Sequence, residues 1–256
     1  MKWDPAVYLS FGDLRLRPGL ELIQAVPLDT PNEICDLGCG PGNLTPFLAD
    51  RWPEANIIGV DNSPEMLAKA HNAASEYEFI EADIADWRPE QPVDLIYSNA
   101  ALQWLGDHET LFPRLFAQLT SGGVLAVQMP RNHSSPSHTM IVEAVENGPW
   151  SYDLRPLLRH NQVAAPADYY DLMAPLSDHL TIWDVDYLQI MEGENPVADW
   201  TRGTALRPFL SALDDDDERA AFESDYRDRI KAAYPKAKDG KTLFPFRRIF
   251  ILAKKN

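Results

Sequence analysis

Two spacings of apolar residues alternate along the chain. Short apolar runs predict strands: NEICDLG (32–38), NIIGVD (56–61), YEFIEAD (77–83), VDLIYSN (93–99) and GGVLAVQMP (122–130). Between them, apolar positions recur at helical spacing. RPGLELIQAV puts Leu20, Ile23 and Ala25 on one side, with Pro18 near its start. NLTPFLADRW does the same with Leu44, Phe47 and Leu48. Pro46 is tolerable in its first turn, and Pro53 stops it. SPEMLAKAHN predicts a helix with Ser63 as N-cap and Pro64 at the first helical position. Residues 107–119 carry Leu111, Phe112, Leu115, Phe116 and Leu119 at helical spacing. Strand and helix in alternation mean βαβ units, hence an α/β fold with a mostly parallel sheet and helices on both faces.

After Pro130 the rhythm changes. Residues 131–180 are rich in His, Pro, Tyr and Asp and predict helical pieces without a clear strand. TIWDVDYLQIM (181–191) predicts a strand, 195–235 predict helices, and RRIFILAKK (247–255) predicts a closing strand. The four aspartates Asp214 to Asp217 suit a helix N-terminus. There is no internal repeat and no low-complexity linker. Residues 1–256 therefore read as one domain: a helical lead-in over 1–30, a core over 31–130, a mainly helical cap with one strand over 131–235, and a closing strand over 236–256.

Composition narrows the function classes. With 45% hydrophobic and 24% charged residues, 256 residues suffice for a sizeable core. The net charge of −16 argues against a nucleic-acid partner and against anionic membranes. No apolar run approaches the roughly 20 residues that span a bilayer, and MKWDPAVYLSF has no signal-peptide pattern. The two cysteines, Cys35 and Cys39, are too few for a disulfide framework or a zinc site. They suit a reducing, cytoplasmic setting. No metal is expected, and a monomer is the default.

Candidate chemistry centres on ICDLGCGPGN (34–43). Gly38, Gly40 and Gly42 strip side chains from the backbone where a strand gives way to a helix. A dinucleotide fingerprint would need a further Gly or Ala where Asn43 stands, and a P-loop would need Gly-Lys-Ser/Thr. Asp61, with Asn62 beside it, ends the second strand, where an acid can accept both ribose hydroxyls of an adenosine. Asp83 after the third strand could take an adenine amino group, and the Ile84 N–H could read the same base. Met66 is a core residue or a contact for adenine. Asp36 favours a cation over a diphosphate. An adenosine without a pyrophosphate, carrying a sulfonium and an ammonium, meets these demands: S-adenosyl-L-methionine.

The motifs DLGCGPGN, GVDNSPEML, EADIADW and NAALQWL resemble those of class I S-adenosylmethionine-dependent methyltransferases. WDPAVYLSF, ALQWLGDHETLFPRL, GVLAVQMP, TRGTALRP and FPFRRIFILAKK extend the resemblance to the trans-aconitate 2-methyltransferase family, most weakly over 131–195. The resemblance implies a Rossmann-like seven-stranded sheet with an antiparallel last strand. It implies methyl transfer to a carboxylate of trans-aconitate, giving a monomethyl ester and S-adenosyl-L-homocysteine. It places Ala100, Gln103 and Trp104 around the methyl donor, with Trp104 equally readable as core. Tyr8 and Phe11 either fold over the reacting centre or pack a terminal helix, and Arg15 and Arg17 either hold a carboxylate or face solvent.

A carboxylate has a pKa near 4, so it is already a nucleophile at neutral pH. No catalytic base is expected; positioning and exclusion of water carry the rate. The two spare carboxylates of a tricarboxylate need clamps, best supplied by arginine. Arg131, His133, Arg202, Arg207 and Arg248 (or its neighbour Arg247) are the candidates, and at least two should converge in one pocket. Rival readings are esterification of another small acid or of a malonyl group on a carrier, a nicotinamide oxidoreductase, and a non-catalytic adenosylmethionine-binding protein.

Overall fold

A computed structural model describes residues 16–158 and 163–256. Tyr8, Phe11 and Arg15 lie outside the described residues. The order of elements is α1 (Arg17–Ala25), β1 (Glu33–Leu37), α2 (Thr45–Arg51), β2 (Asn56–Asp61), α3 (Pro64–Ala73), β3 (Glu78–Glu81), β4 (Val93–Asn99), α4 (His108–Ala117) and β5 (Leu119–Pro130). Then come α5 (Pro136–Asn147), α6 (Ser151–Leu154), α7 (Pro166–Met173), β6 (His179–Met191), α8 (Pro196–Arg202), α9 (Arg207–Ala212), α10 (Asp216–Ala233) and β7 (Thr242–Lys254).

The seven strands form one sheet in the order β3-β2-β1-β4-β5-β7-β6. The pairs β1–β2, β2–β3, β1–β4 and β4–β5 are parallel, and β7 runs antiparallel to β5. The chain moves outward from β1 to β3 and then restarts beside β1 with β4. That reversal leaves a crevice outside the carboxyl ends of β1 and β4, where such sheets bind ligands.

Chain contacts divide the described residues into two compact units. The first comprises residues 16–130, 163–185 and 248–256. On one face of its sheet, Ile96, Leu125, Val127 and Ile251 are buried with Leu111, Phe112 and Leu115 of α4 and Tyr169 and Met173 of α7. Each such side chain contributes about 1.5–3 kcal/mol by leaving water. On the opposite face, buried Tyr97 of β4 donates to the Gly19 carbonyl of α1 at 2.9 Å. Arg51 ties the end of α2 to α1 through the carbonyls of Ile23 and Val26. The α3 start is capped as its sequence predicts: the Ser63 hydroxyl accepts from Met66 N, with Pro64 at the first helical position.

The second unit comprises residues 131–158 and 186–247. Phe222, Tyr226 and Ile230 of α10 are buried with Ile141 and Val145 of α5 and with Trp150, Phe209 and Phe244. The Tyr226 hydroxyl bonds the Ser137 carbonyl at 3.0 Å. Asp215 caps α10 by accepting from Glu218 N at 2.8 Å, which puts Asp216 and Asp217 in its first turn.

Three local readings change. Leu119 is not the end of a helix; it opens β5, opposite Val93. A helical pattern that runs directly into a strand hides that boundary, because one buried leucine satisfies either period. β6 begins at His179, inside the segment read as strandless. Ala25 is exposed, and Leu22 completes the buried side of α1.

Candidate active site

The turn after β1 is built from backbone. Gly38 N and Cys39 N both donate to the Val60 carbonyl, at 2.7 and 3.0 Å, which fastens the turn to the end of β2. Gly38, Gly40 and Gly42 have φ of 78°, 56° and 74°, the left-handed region that glycine enters without steric cost. A Cβ at Gly38 would stand 2.2 Å from the Ala101 Cβ, so the segment after β4 presses directly on this turn. A Cβ at Gly40 would meet nothing within 4 Å. Gly40 is therefore the open, unscreened backbone of the turn.

Two acids flank it. Asp61 accepts from Gly40 N through Oδ2 and from Ser63 N through Oδ1, both at 2.9 Å. Those bonds fix its orientation and leave lone pairs on both oxygens for a diol. Asp36 is buried and accepts from the Thr45 hydroxyl at 2.8 Å. Burial pushes its carboxyl up to about 7; the Thr45 bond opposes that rise and nearby Asp61 adds to it. A carboxylate so poorly solvated gains most from a cation placed beside it.

Around the turn, Ile84 is half-buried, its Cδ1 reaching towards Gly38. Asp83 is exposed and accepts from Ala85 N at 2.8 Å. Met66 is half-buried in the first turn of α3, and Asn62 is exposed. Ala100 follows β4 with φ of 55°, a left-handed conformation costly for a residue with a Cβ and concentrated at functional sites. Gln103 Nε2 donates to the Ala100 carbonyl at 2.6 Å, while Gln103 Oε1 and Asn99 Oδ1 are buried without a hydrogen-bond partner among the described residues. Trp104 is 65% exposed, so its core reading fails.

The arginines separate. Arg248 is 6% exposed, and its Nη1 donates to Gln128 Oε1 at 3.0 Å inside the first unit. Arg17 is exposed and pairs with Glu21 at 2.8 Å. In the second unit, Arg202 and Arg207 line one shallow depression of about 330 Å³ with Arg219, and Arg202 is paired with Glu223 at 2.8 Å. Arg247 forms a two-pronged pair with Asp186 at 2.8 and 2.7 Å, and Arg131 lies close enough to lower the Asp186 carboxyl further. His133 meets His138 edge-on at 5.1 Å. Burial pushes the His133 imidazole down, and burial with His133 beside it pushes His138 down to about 4. Sequence reasoning overlooks Asn99, Gln128 and Thr45. The available signal was a lone amide in each of the apolar runs VDLIYSN and GVLAVQM.

A family model described as a methyltransferase domain matches residues 34–123. Among solved structures, the YcgJ protein from Bacillus subtilis superposes with a TM-score of 0.60 at 16% identity, over 94% of this chain and 98% of that one. A phosphoethanolamine N-methyltransferase 2 from Haemonchus contortus in complex with S-adenosyl-L-methionine gives 0.55 at 15% identity, over 94% of this chain and 53% of that one. Strand order, glycine turn and family model together define the class, a Rossmann-like class I methyltransferase. A trans-aconitate 2-methyltransferase from Azoarcus sp. (strain BH72) is 47% identical over 251 residues, 98% of each chain. The chain belongs to the trans-aconitate 2-methyltransferase family.

Proposed function

We propose that this protein transfers the methyl group of S-adenosylmethionine to a carboxylate of trans-aconitate, giving the monomethyl ester. The observation that carries this is kinship along the whole chain with relatives of that name, at 47% identity. The turn's chemistry supports the cofactor. ICDLGCGPGN contains no basic residue to meet a phosphate. The acceptors Asn99 Oδ1 and Gln103 Oε1, without partners among the described residues, and buried Asp36 suit a ligand that brings cations and N–H donors.

In this reading Gly38, Gly40 and Gly42 let the ligand lie against backbone, and Asp61 takes the ribose hydroxyls. Asn62, Met66, Asp83 and Ile84 surround the adenine, while Asp36, Ala100 and Gln103 hold the methionine end. When bound, the cofactor supplies a sulfonium methyl whose C–S bond breaks, its electrons going to sulfur, as a carboxylate oxygen bonds the carbon. No proton moves, so no base is required. Arg248 is the clamp on the acceptor. The chain's own work is to aim the oxygen and keep water out. The two free, buried cysteines support a cytoplasmic, reducing setting.

The test is to incubate the protein with labelled methyl donor and a panel of di- and tricarboxylic acids, counting base-labile methyl. Trans-aconitate should give a kcat/KM at least about tenfold above citrate or cis-aconitate, a discrimination of ~1.4 kcal/mol. Equal labelling across the panel, or none, would sink the assignment.

A further inference from the structure

Asp36, Asn99, Gln128 and Arg248 stand on four strands that are neighbours in the sheet, β1, β4, β5 and β7. The registers Asp36↔Tyr97, Asn99↔Gln128, Gln128↔Phe250 and Pro130↔Arg248 put all four side chains on one face. The alternate residues Leu37, Ile96, Val127 and Ile249 belong to the core on the other face. The polar four form a diagonal row that climbs towards the carboxyl ends of the parallel strands. Along it the chemistry changes in order: an acid, then an acceptor and a donor that have no partner among the described residues, then a cation.

The donor is Gln128 Nε2. Gln128 has no exposed surface. Its amide orientation is forced, because Arg248 can only donate and so must face Oε1 at 3.0 Å. The NH₂ group is therefore aimed elsewhere, and it finds no partner among the described residues. Its register neighbour Asn99 has the complementary deficit, a buried Oδ1 without a partner among the described residues. A spare donor and a spare acceptor stand on adjacent strands and do not bond each other. Leaving such groups unmet is expensive, so a buried pair of this kind calls for a partner that the described residues do not supply, and a ligand in the crevice is one.

We infer that Gln128 is a substrate-contacting residue that selects for carboxylate: its Nε2–H donates to a carboxylate of the acceptor, and its Oε1 holds the Arg248 guanidinium in place as the adjoining cation. The inference rests on the proposed methyl transfer to a small polycarboxylate and assigns that acceptor to the β5–β7 end of the row. The acid and the spare acceptor at the β1–β4 end are left for the cationic methyl donor. An amide in this position suits a carboxylate better than a second cation would. It adds a donor without adding a positive charge to repel the sulfonium.

The experiment uses the full chain with two variants, Gln128→Glu and Gln128→Met. Calorimetry gives the affinity for S-adenosylhomocysteine, and then the affinity of the S-adenosylhomocysteine-loaded protein for trans-aconitate. Glu keeps the acceptor for Arg248 and replaces the donor by a like charge; Met keeps the length and removes both. Trans-aconitate affinity should fall about 30-fold or more in Gln128→Glu and about tenfold in Gln128→Met, with S-adenosylhomocysteine affinity within about twofold of the parent. Unchanged trans-aconitate affinity in both variants would overturn the inference and leave Gln128 as an internal brace. Loss of S-adenosylhomocysteine binding in both would overturn it too, placing Gln128 on the cofactor side. If the unaltered protein binds S-adenosylhomocysteine but not trans-aconitate, the substrate reading itself fails, an outcome distinct from either of these.

Discussion

Asp36 carries opposing demands in a single carboxyl group. It is buried at the end of β1 and held by Thr45, and burial lifts it from an ordinary value of 3.8 to about 7. The folded state thus binds this proton more tightly than the unfolded chain does. The stabilisation is fully present below about pH 4 and is lost as pH rises through about 7. Above that, the buried charge costs on the order of 4 kcal/mol relative to acid conditions. Asp36→Asn removes the cost, and the Asn oxygen can still accept from Thr45. The variant should therefore melt several degrees higher than the parent at pH 8 and about equally at pH 4. It should also bind S-adenosylmethionine more weakly. In the proposed arrangement a cation held beside Asp36 keeps it ionised in the parent, so binding near pH 6.5 should release up to about one proton. Calorimetry in buffers of different ionisation enthalpy measures that release. Equal proton counts for parent and variant would separate Asp36 from the cation.

Between β1 and α2, the three glycines fall under different constraints, and the element as a whole can be tested through that difference. At Gly38 an alanine must take a φ of 78° and drive its Cβ into Ala101 at 2.2 Å. At Gly40 it pays only the left-handed penalty of about 1 kcal/mol, because the space around it is open. Gly40→Ala should thus keep its melting temperature within about 4 °C while losing S-adenosylhomocysteine affinity by about tenfold or more. Gly38→Ala should lose both. Wild-type affinity in Gly40→Ala would place the ligand off this turn. The turn, its flanking acids and the strands that carry it were legible because they are local. Apolar runs, a Ser-Pro helix start and glycines at alternate positions each act within a few residues of themselves. The row across the sheet was not legible. Gln128 meets Arg248 from 120 positions away, and one amide inside GVLAVQM reads as the solvent side of an alternating strand. Only the antiparallel pairing of β7 with β5 brings Arg248 beside it, and no local pattern announces that pairing. Trp104 misled in the opposite direction: a large aromatic after an apolar strand reads equally as core, and it is 65% exposed.

At the scale of the whole molecule, a net charge of −16 surrounds a site that must admit one cationic and one highly anionic reactant. The long-range field should draw in the sulfonium compound and slow the approach of a tricarboxylate. Salt screens that field: the Debye length falls from about 30 Å at 0.01 M to about 8 Å at 0.15 M. The proposed contact between a carboxylate and Arg248, a residue that is 6% exposed, would be screened far less. The two reactants should therefore respond to ionic strength with opposite sign. Between 0.01 and 0.15 M sodium chloride, kcat/KM for trans-aconitate should rise several-fold, while that for S-adenosylmethionine should fall by a smaller factor, since it carries fewer charges. Steady-state kinetics with each reactant varied in turn measures both slopes. A fall for both would mean that local cations, and not the net acidic charge, set the field that the tricarboxylate meets.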